Sequence, residues 1–198
     1  MIKLLLRYIL DIGLINKIKS YEEIKTKVVN CKLCKLCITR NNAVPGHGNL
    51  DAKILFVGEA PGKNEDKMGL PFVGFAGKIL EEALEKAGIK RNDVYITNVV
   101  KCRPPNNRVP EKDEIDTCLQ YLRKEIQIIS PNIVCILGAT ALQSILNLKS
   151  LTIYHGKMIV SDKIKYFITY HPAATIYNSD LREIFFNEIS CAVNMANK

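Results

Sequence analysis

The chain has 198 residues, with 28 Lys and Arg against 20 Asp and Glu, a formal net charge of +8, and 47% hydrophobic and 24% charged residues. That balance excludes a disordered chain, and the length lets a single domain bury a core without disulfide staples. The basic excess favours a polyanion partner, nucleic acid first, although a lysine-rich solvated surface would carry the same charge.

The first segment, MIKLLLRYILDIGLINKIKS, is apolar but broken by Lys3, Arg7 and Asp11. No run of about 18 apolar residues occurs, so neither a membrane span nor a secretory leader is expected. Ile2, Leu5, Leu6, Ile9 and Leu10 recur at helical spacing and predict an amphipathic helix docked on the domain. A membrane-surface role is the weaker alternative. Residues 1–30 are thus read as a helical extension packed on one domain spanning 31–198, in a chain that stays inside the cell.

Strands and helices alternate after residue 50. Lys53 to Gly58 (KILFVG) reads as a buried strand ending in glycine. Residues 74 to 87 have a helical period, with Phe75, Ile79, Leu80, Ala83, Leu84 and Ala87 on one face and Gly88 as the stop. Val94 to Val100 is β-branched and predicts the second strand. A helix over 111–129 buries Ile115, Cys118, Leu119, Leu122, Ile126 and Ile129, with Pro110 near its start. Asn132 to Gly138 is the third strand, followed by a helix from Ala139 to Leu148. Lys163 to His171 is the fourth strand, and a last helix runs from about Asp180 to Asn197. This order implies an α/β fold with a mainly parallel four-stranded sheet and helices on both faces. Ligands of such sheets bind beyond the carboxyl ends of the strands. GEAPG, TNVVKCRPP, GAT and HPAAT fall there.

Seven cysteines are present. Cys135 and Cys191 sit in apolar patterns and read as core. Cys31, Cys34 and Cys37 repeat every three residues, and Cys102 and Cys118 lie far downstream in polar contexts. Two thiolates from one turn plus two distant ones make a four-thiolate set, which suits zinc or an iron–sulfur cluster alike. Three cysteines compete for the two N-terminal positions, with Cys31 and Cys34 favoured. Such a centre would tie the N-terminal segment to the KCRPPNNR loop, whose Lys101, Arg103 and Arg108 are suited to grip phosphates.

The ordered set CKLC, NAVPGHGN, GEAPGKNED, GLPFVGFAGKIL, VYITNVVKCRPPNNRVP, Cys118, LGATA and YHPAA resembles the family 4, iron–sulfur uracil-DNA glycosylases of the uracil-DNA glycosylase superfamily. The resemblance covers roughly residues 31–175. It implies a three-layer α/β/α sandwich, a monomer, and hydrolysis of the N-glycosidic bond of deoxyuridine in double- or single-stranded DNA by base flipping, which starts base excision repair. It also implies a structural [4Fe–4S] cluster, whose ligands carry over, by registration with Arg40, to Cys31, Cys34, Cys102 and Cys118. For residues 1–20 two readings stay open, contact with a replication or repair protein or packing alone.

Within that resemblance, Phe72 would stack on uracil, and the Asn98 amide would pair with O4 and N3–H while rejecting cytosine. His171 would donate to O2 as negative charge develops there. Glu59, directly after the first strand, is the first choice to orient water, with Glu65 its rival. Backbone N–H groups from Ala60 to Gly62 would meet the pyrimidine or a phosphate. Arg103 and Arg108 would grip DNA, and residues from Pro172 and Ala173 to Tyr177 would enter the duplex. A zinc-bearing binding module and an electron carrier are the competing readings. The first would not need Asn98, Phe72 and His171 in registered strand-end positions, and the second predicts activity that changes with the oxidation state of the cluster.

Overall fold

The computed structural model describes the backbone of residues 2–176 and 178–198, and side chains from Gly13 onward within that span. Its elements in chain order are α1 (Ile2–Val29), α2 (Leu36–Thr39), β1 (His47–Gly48), β2 (Ile54–Gly58), α3 (Lys63–Met68), α4 (Phe75–Lys86), β3 (Tyr95–Asn98), α5 (Lys112–Ile129), β4 (Ile133–Leu137), α6 (Ala139–Leu146), α7 (Leu151–Tyr154), β5 (Met158–Ser161), β6 (Ile164–Thr169) and α8 (Ser179–Ala196). The strands form one six-stranded sheet in the order β1-β3-β2-β4-β6-β5.

The inner strands β3, β2, β4 and β6 are all parallel, and they are the four expected from the sequence. The expected sheet is nevertheless extended by two antiparallel edges, β1 on β3 and β5 on β6. β1 has only two residues, too few for any periodicity. β5 enters through a tight hairpin whose Asp162 and Lys163 both adopt positive φ, 48° and 66°. That left-handed pair matches the twist of adjoining strands.

The two-residue period of the strands divides the core. Leu55 and Val57 of β2, with Val134 and Ile136 of β4, face a cluster closed by α1, α5 and α6. Ile54 and Phe56, with Ile133, Cys135 and Leu137, face the opposite cluster under α4 and α8. Each fully buried Leu, Ile or Phe contributes about 1.5–3 kcal/mol relative to exposure, so both layers are anchored to the same strands. On α1, Ile24 and Val28 are buried against the domain, Tyr21 Oη donates to the Gly46 carbonyl at 2.9 Å, and Lys17 pairs with Asp51 at 2.7 Å. The face expected from Ile2 to Leu10 lies outside the described side chains.

One residue leaves its expected face. Phe75 opens α4 and is 60% exposed. In the same turn Gly77 takes a buried position instead. A Cβ on Gly77 would collide with the Phe72 carbonyl. Gly77→Ala is therefore expected to cost about 1–3 kcal/mol of stability through overpacking, read as a lower urea midpoint at unchanged slope. A midpoint equal to that of the unsubstituted chain would show that the loop yields freely.

Candidate active site

The carboxyl ends of the parallel strands deliver Gly58 and Glu59 from β2, Asn98 from β3, Gly138 after β4 and His171 after β6 to one edge. A cavity of about 340 Å³ opens there, lined by Glu59, Ala60, Gly62, Glu65, Phe72, Ala76, Asn98, Asn107, His171 and Ala173. That volume lies within the usual range of about 300–1,000 Å³ for small-ligand pockets. A wider groove, about 600 Å³, between Arg123, Asn132, Lys165 and Lys198 is larger but holds none of these residues. Convergence of functional groups, not volume, marks the site.

The floor is formed by Asn98, 2% exposed, whose Oδ1 is buried without a hydrogen-bond partner among the described residues. Gly58 is obligatory beside it. A Cβ there would stand 2.5 Å from Phe72 Cζ and 2.6 Å from Asn98 Oδ1. Phe72 forms the wall, with φ at +51°, a left-handed conformation that non-glycine residues hold only when their surroundings enforce it.

Those surroundings are visible. Glu65 Oε1 accepts from Val73 N at 2.9 Å and Gly74 N at 2.7 Å, and Oε2 accepts from Gly62 N at 3.1 Å. Arg91 Nη2 donates to the Pro71 carbonyl at 2.6 Å. The Glu65 carboxylate thus clamps the loop bearing Phe72, and three backbone donors occupy its oxygens. This weighs against its expected part as water activator. It also removes the Gly62 N–H from the donors expected there for a ligand, since Pro61 has none. Glu59 differs: among the described residues its carboxylate joins no hydrogen bond or ion pair, and it lines the cavity. Asp66, 1% exposed, is structural and accepts from the N–H groups of Asn41 and Asn42.

His171 caps the Pro172–Thr175 turn, its Nδ1 accepting from Ala173 N at 3.2 Å. The neutral ring then carries its proton on Nε2. Burial pushes its pKa down to about 4, with the Glu65 charge pulling the other way. Its ring lies 5.7 Å from that of Phe72. Gly138, φ +95°, backs against it, where a Cβ would fall 2.9 Å from His171 Cβ.

The phosphate-gripping residues need correction. Lys101 is 1% exposed and pairs with Glu125 at 2.6 Å, so it cannot reach DNA. Arg108 is bound through both terminal nitrogens to the buried Glu114, at 2.9 and 2.7 Å, and also meets Glu111. Its charge is spent on closing the α5 N-terminus. Pro172 is buried, whereas Ala173 and Ala174 are exposed. Tyr177 lies outside the described residues. Arg103 remains available, steadied by Nε donation to Asn107 Oδ1 at 2.7 Å. Asn107 and Ala76, which sequence reasoning missed, also line the cavity. The NN pair with its positive φ values, 55° and 54° at Asn106 and Asn107, was the available signal.

On the α5 side, Cys102 and Cys118 belong to the core cluster beneath α1, α5 and α6, and Cys31 and Cys34 are partly buried against it. Cys102 and Cys118 are buried. Cys102 and Cys118 both feel the charge of Cys34, Cys102 that of Cys31 as well, and the Tyr121 hydroxyl feels Cys31, Cys118 and Cys102. Cys37 touches this circle only through Cys34 and Arg40. Arg40 Nη1 donates to Cys102 Sγ at 2.9 Å, Arg40 Nη2 to the carbonyls of Val29 and Cys31, and Lys101 N to Cys118 Sγ at 3.2 Å. Among the described residues, no three His, Cys, Asp or Glu side chains converge as ligands of one ion. Nor is any described helix long and apolar enough to cross a membrane.

The family model described as "Uracil DNA glycosylase superfamily" matches residues 45–193. A "Type-4 uracil-DNA glycosylase" of Sulfurisphaera tokodaii is 51% identical, over 83% of this chain and 80% of the relative. One from Archaeoglobus fulgidus is 47% identical, over 83% and 87%. One from Thermotoga maritima is 43% identical, over 89% and 95%.

The His171 geometry makes a direct prediction. Its ring should titrate near pH 4 in an NMR titration, not near its ordinary 6.5. Since the unfolded chain takes up a proton that the folded site refuses, the stability owed to neutral His171 is complete above pH 6.5 and declines as pH falls toward 4. A midpoint near 6.5 would place the ring in solvent and contradict the geometry.

Proposed function

The chain belongs to the uracil-DNA glycosylase superfamily, among its type-4 members, and from that premise we propose that it excises uracil from DNA through the cavity at the carboxyl edge of its sheet. The observation that carries the residue assignments is the buried, unpartnered Asn98 Oδ1 facing a cavity that also holds Phe72, Glu59 and the neutral His171. Uracil N3–H donates to that oxygen, and the amide nitrogen donates to uracil O4. Cytosine would set its unprotonated N3 against Oδ1 and its amino group against Nδ2, leaving buried groups unpaired.

Extrusion of the nucleotide costs a few kcal/mol, least at a mismatch. Phe72 repays part of it by stacking on the ring. As the bond between C1′ and N1 breaks, its electron pair moves onto the uracil and charge gathers on O2. His171 Nε2–H, its proton placed by the Ala173 contact to Nδ1, donates there. A neutral donor aimed at a developing anion acts mainly in the transition state. Glu59, with no other partner, holds the water that adds to C1′ and takes its proton. Glu65 acts through the Phe72 loop, as a positioning residue. Arg103 and the exposed Ala173–Ala174 turn meet the DNA, with the net charge of +8 supplying a salt-dependent attraction.

Cys31, Cys34, Cys102 and Cys118 are the set we assign to an iron–sulfur cluster. Four soft thiols on one side of the core, linked by mutual electrostatic influence, with Arg40 and a backbone N–H donating to two of the sulfurs, support that assignment. When bound, it supplies a crosslink between the α1–α2 segment and the loop after β3. Residues 1–30 serve as a helical extension on the domain spanning 31–198.

The test is strand cleavage, after alkali, of a labelled oligonucleotide with one U·G pair. The unsubstituted protein should cleave at uracil, and His171→Ala and Glu59→Gln should each slow excision by about 10²-fold or more. A protein that binds the duplex but leaves uracil in place would favour a binding module. Separately, Cys102→Ser should lose visible cluster absorbance and melt at lower temperature. A fully coloured Cys102→Ser protein would mean the ligand set is wrong.

A further inference from the structure

Lys101 and Glu125 are an ion pair with both side chains 1% exposed. Such a pair bears a large desolvation cost, and apolar residues of similar volume often stabilise as well or better. Stability alone does not explain it; its position suggests another task. Lys101 Nζ donates to Glu125 Oε2 at 2.6 Å, to Thr97 Oγ1 at 2.5 Å and to the Asn98 backbone carbonyl at 2.8 Å. An ammonium has three protons, and all three are used. β1 pairs with β3 only at Tyr95 and Ile96. Beyond Ile96 the outer edge of β3 has no strand neighbour, and Lys101 supplies the donor that a longer strand would have provided. Glu125 fixes the ammonium in turn. It accepts from Thr97 Oγ1 at 2.8 Å and, through Oε1, from Gly46 N at 2.8 Å.

We propose that the Lys101–Glu125 pair is a positioning device for Asn98, locking the peptide that presents the unpartnered Oδ1 to the base. No contact of Oδ1 itself holds the amide in place. Its placement depends on its backbone, pinned on one side by Val99 N donating to the Gly58 carbonyl at 2.9 Å and on the other by Lys101. The inference rests on the reading of Asn98 as the base-recognising amide.

A double-mutant cycle tests it, with single-turnover excision from a U·G duplex as the readout and thermal melts as the control. Glu125→Gln is made in the unsubstituted background and in Asn98→Ala. It should slow excision about 10-fold or more in the first and less than about 2-fold in the second, with duplex affinity little changed. A merely structural role would slow both equally, and that result overturns the proposal, as does no slowing at all. If Glu125→Gln fails to fold because Lys101 is left unpaired, Lys101→Met/Glu125→Leu takes its place in the same cycle. Failure of that variant to fold would show that the pair holds the fold itself, which also overturns the proposal. If Asn98→Ala alone excises at full rate, the reading of Asn98 has failed, an outcome distinct from equal slowing in the two backgrounds.

Discussion

A buried carbonyl oxygen with no hydrogen-bond partner among the described residues is the constraint on which this molecule turns. Leaving such an acceptor unpaired costs about 1–3 kcal/mol, and Asn98 Oδ1 is in that position. The fold tolerates the cost because Asn98 belongs to a parallel strand held by β2 along its length, with Gly58 opposite it in register. Around that oxygen three groups are fixed by something other than the ligand: Phe72 by Glu65 and Gly77, His171 by Ala173 and Gly138, and the Asn98 peptide by Lys101. The site is therefore built before the base arrives, which is how a pocket can spend binding energy on discrimination.

Carboxylates divide by environment. Glu65 and Asp66 are engaged by backbone N–H groups, Asp66 by the Asn41 side-chain amide as well, and serve the loops. Glu114 and Glu125 are buried and matched by Arg108 and Lys101. Glu59 alone among the carboxylates lining the cavity has no partner among the described residues. An acceptor without internal work is the one free to engage water and a cationic sugar. The same accounting on the basic side leaves Arg103 facing outward and withdraws Lys101 and Arg108.

Much of the architecture was legible in the sequence because the inner strands are short and apolar, with glycine or proline beside β2, β4 and β6, and because α4, α5 and α8 repeat at helical spacing. What was not legible has physical causes. β1 is two residues long, and α3 (KNEDKM) is polar and stabilised by Glu65 reaching back to its own N-terminus. Phe75 fits the apolar period of α4 yet is exposed, while Gly77 in the same turn is buried against the Phe72 loop. Glu59, Asn98 and His171 reach one cavity from strand ends, and Phe72 joins them from the loop between α3 and α4. Partnering was invisible: that Lys101 is buried and Arg108 paired depends on Glu125, well inside α5, and on Glu114 in its first turn. The four-cysteine ligand set rests on spacing and resemblance, while the donors of Arg40 and Lys101 to two of its sulfurs emerged only in three dimensions.

The central claim is that a preorganised amide reads the base. It is tested most directly by following the ¹⁵N-labelled Asn98 side-chain amide in the NMR spectrum while free uracil, and then free cytosine, is added. The account predicts a saturating shift of that resonance with uracil and none with cytosine. Equal shifts with both bases, or none with uracil while other cavity resonances move, would contradict it.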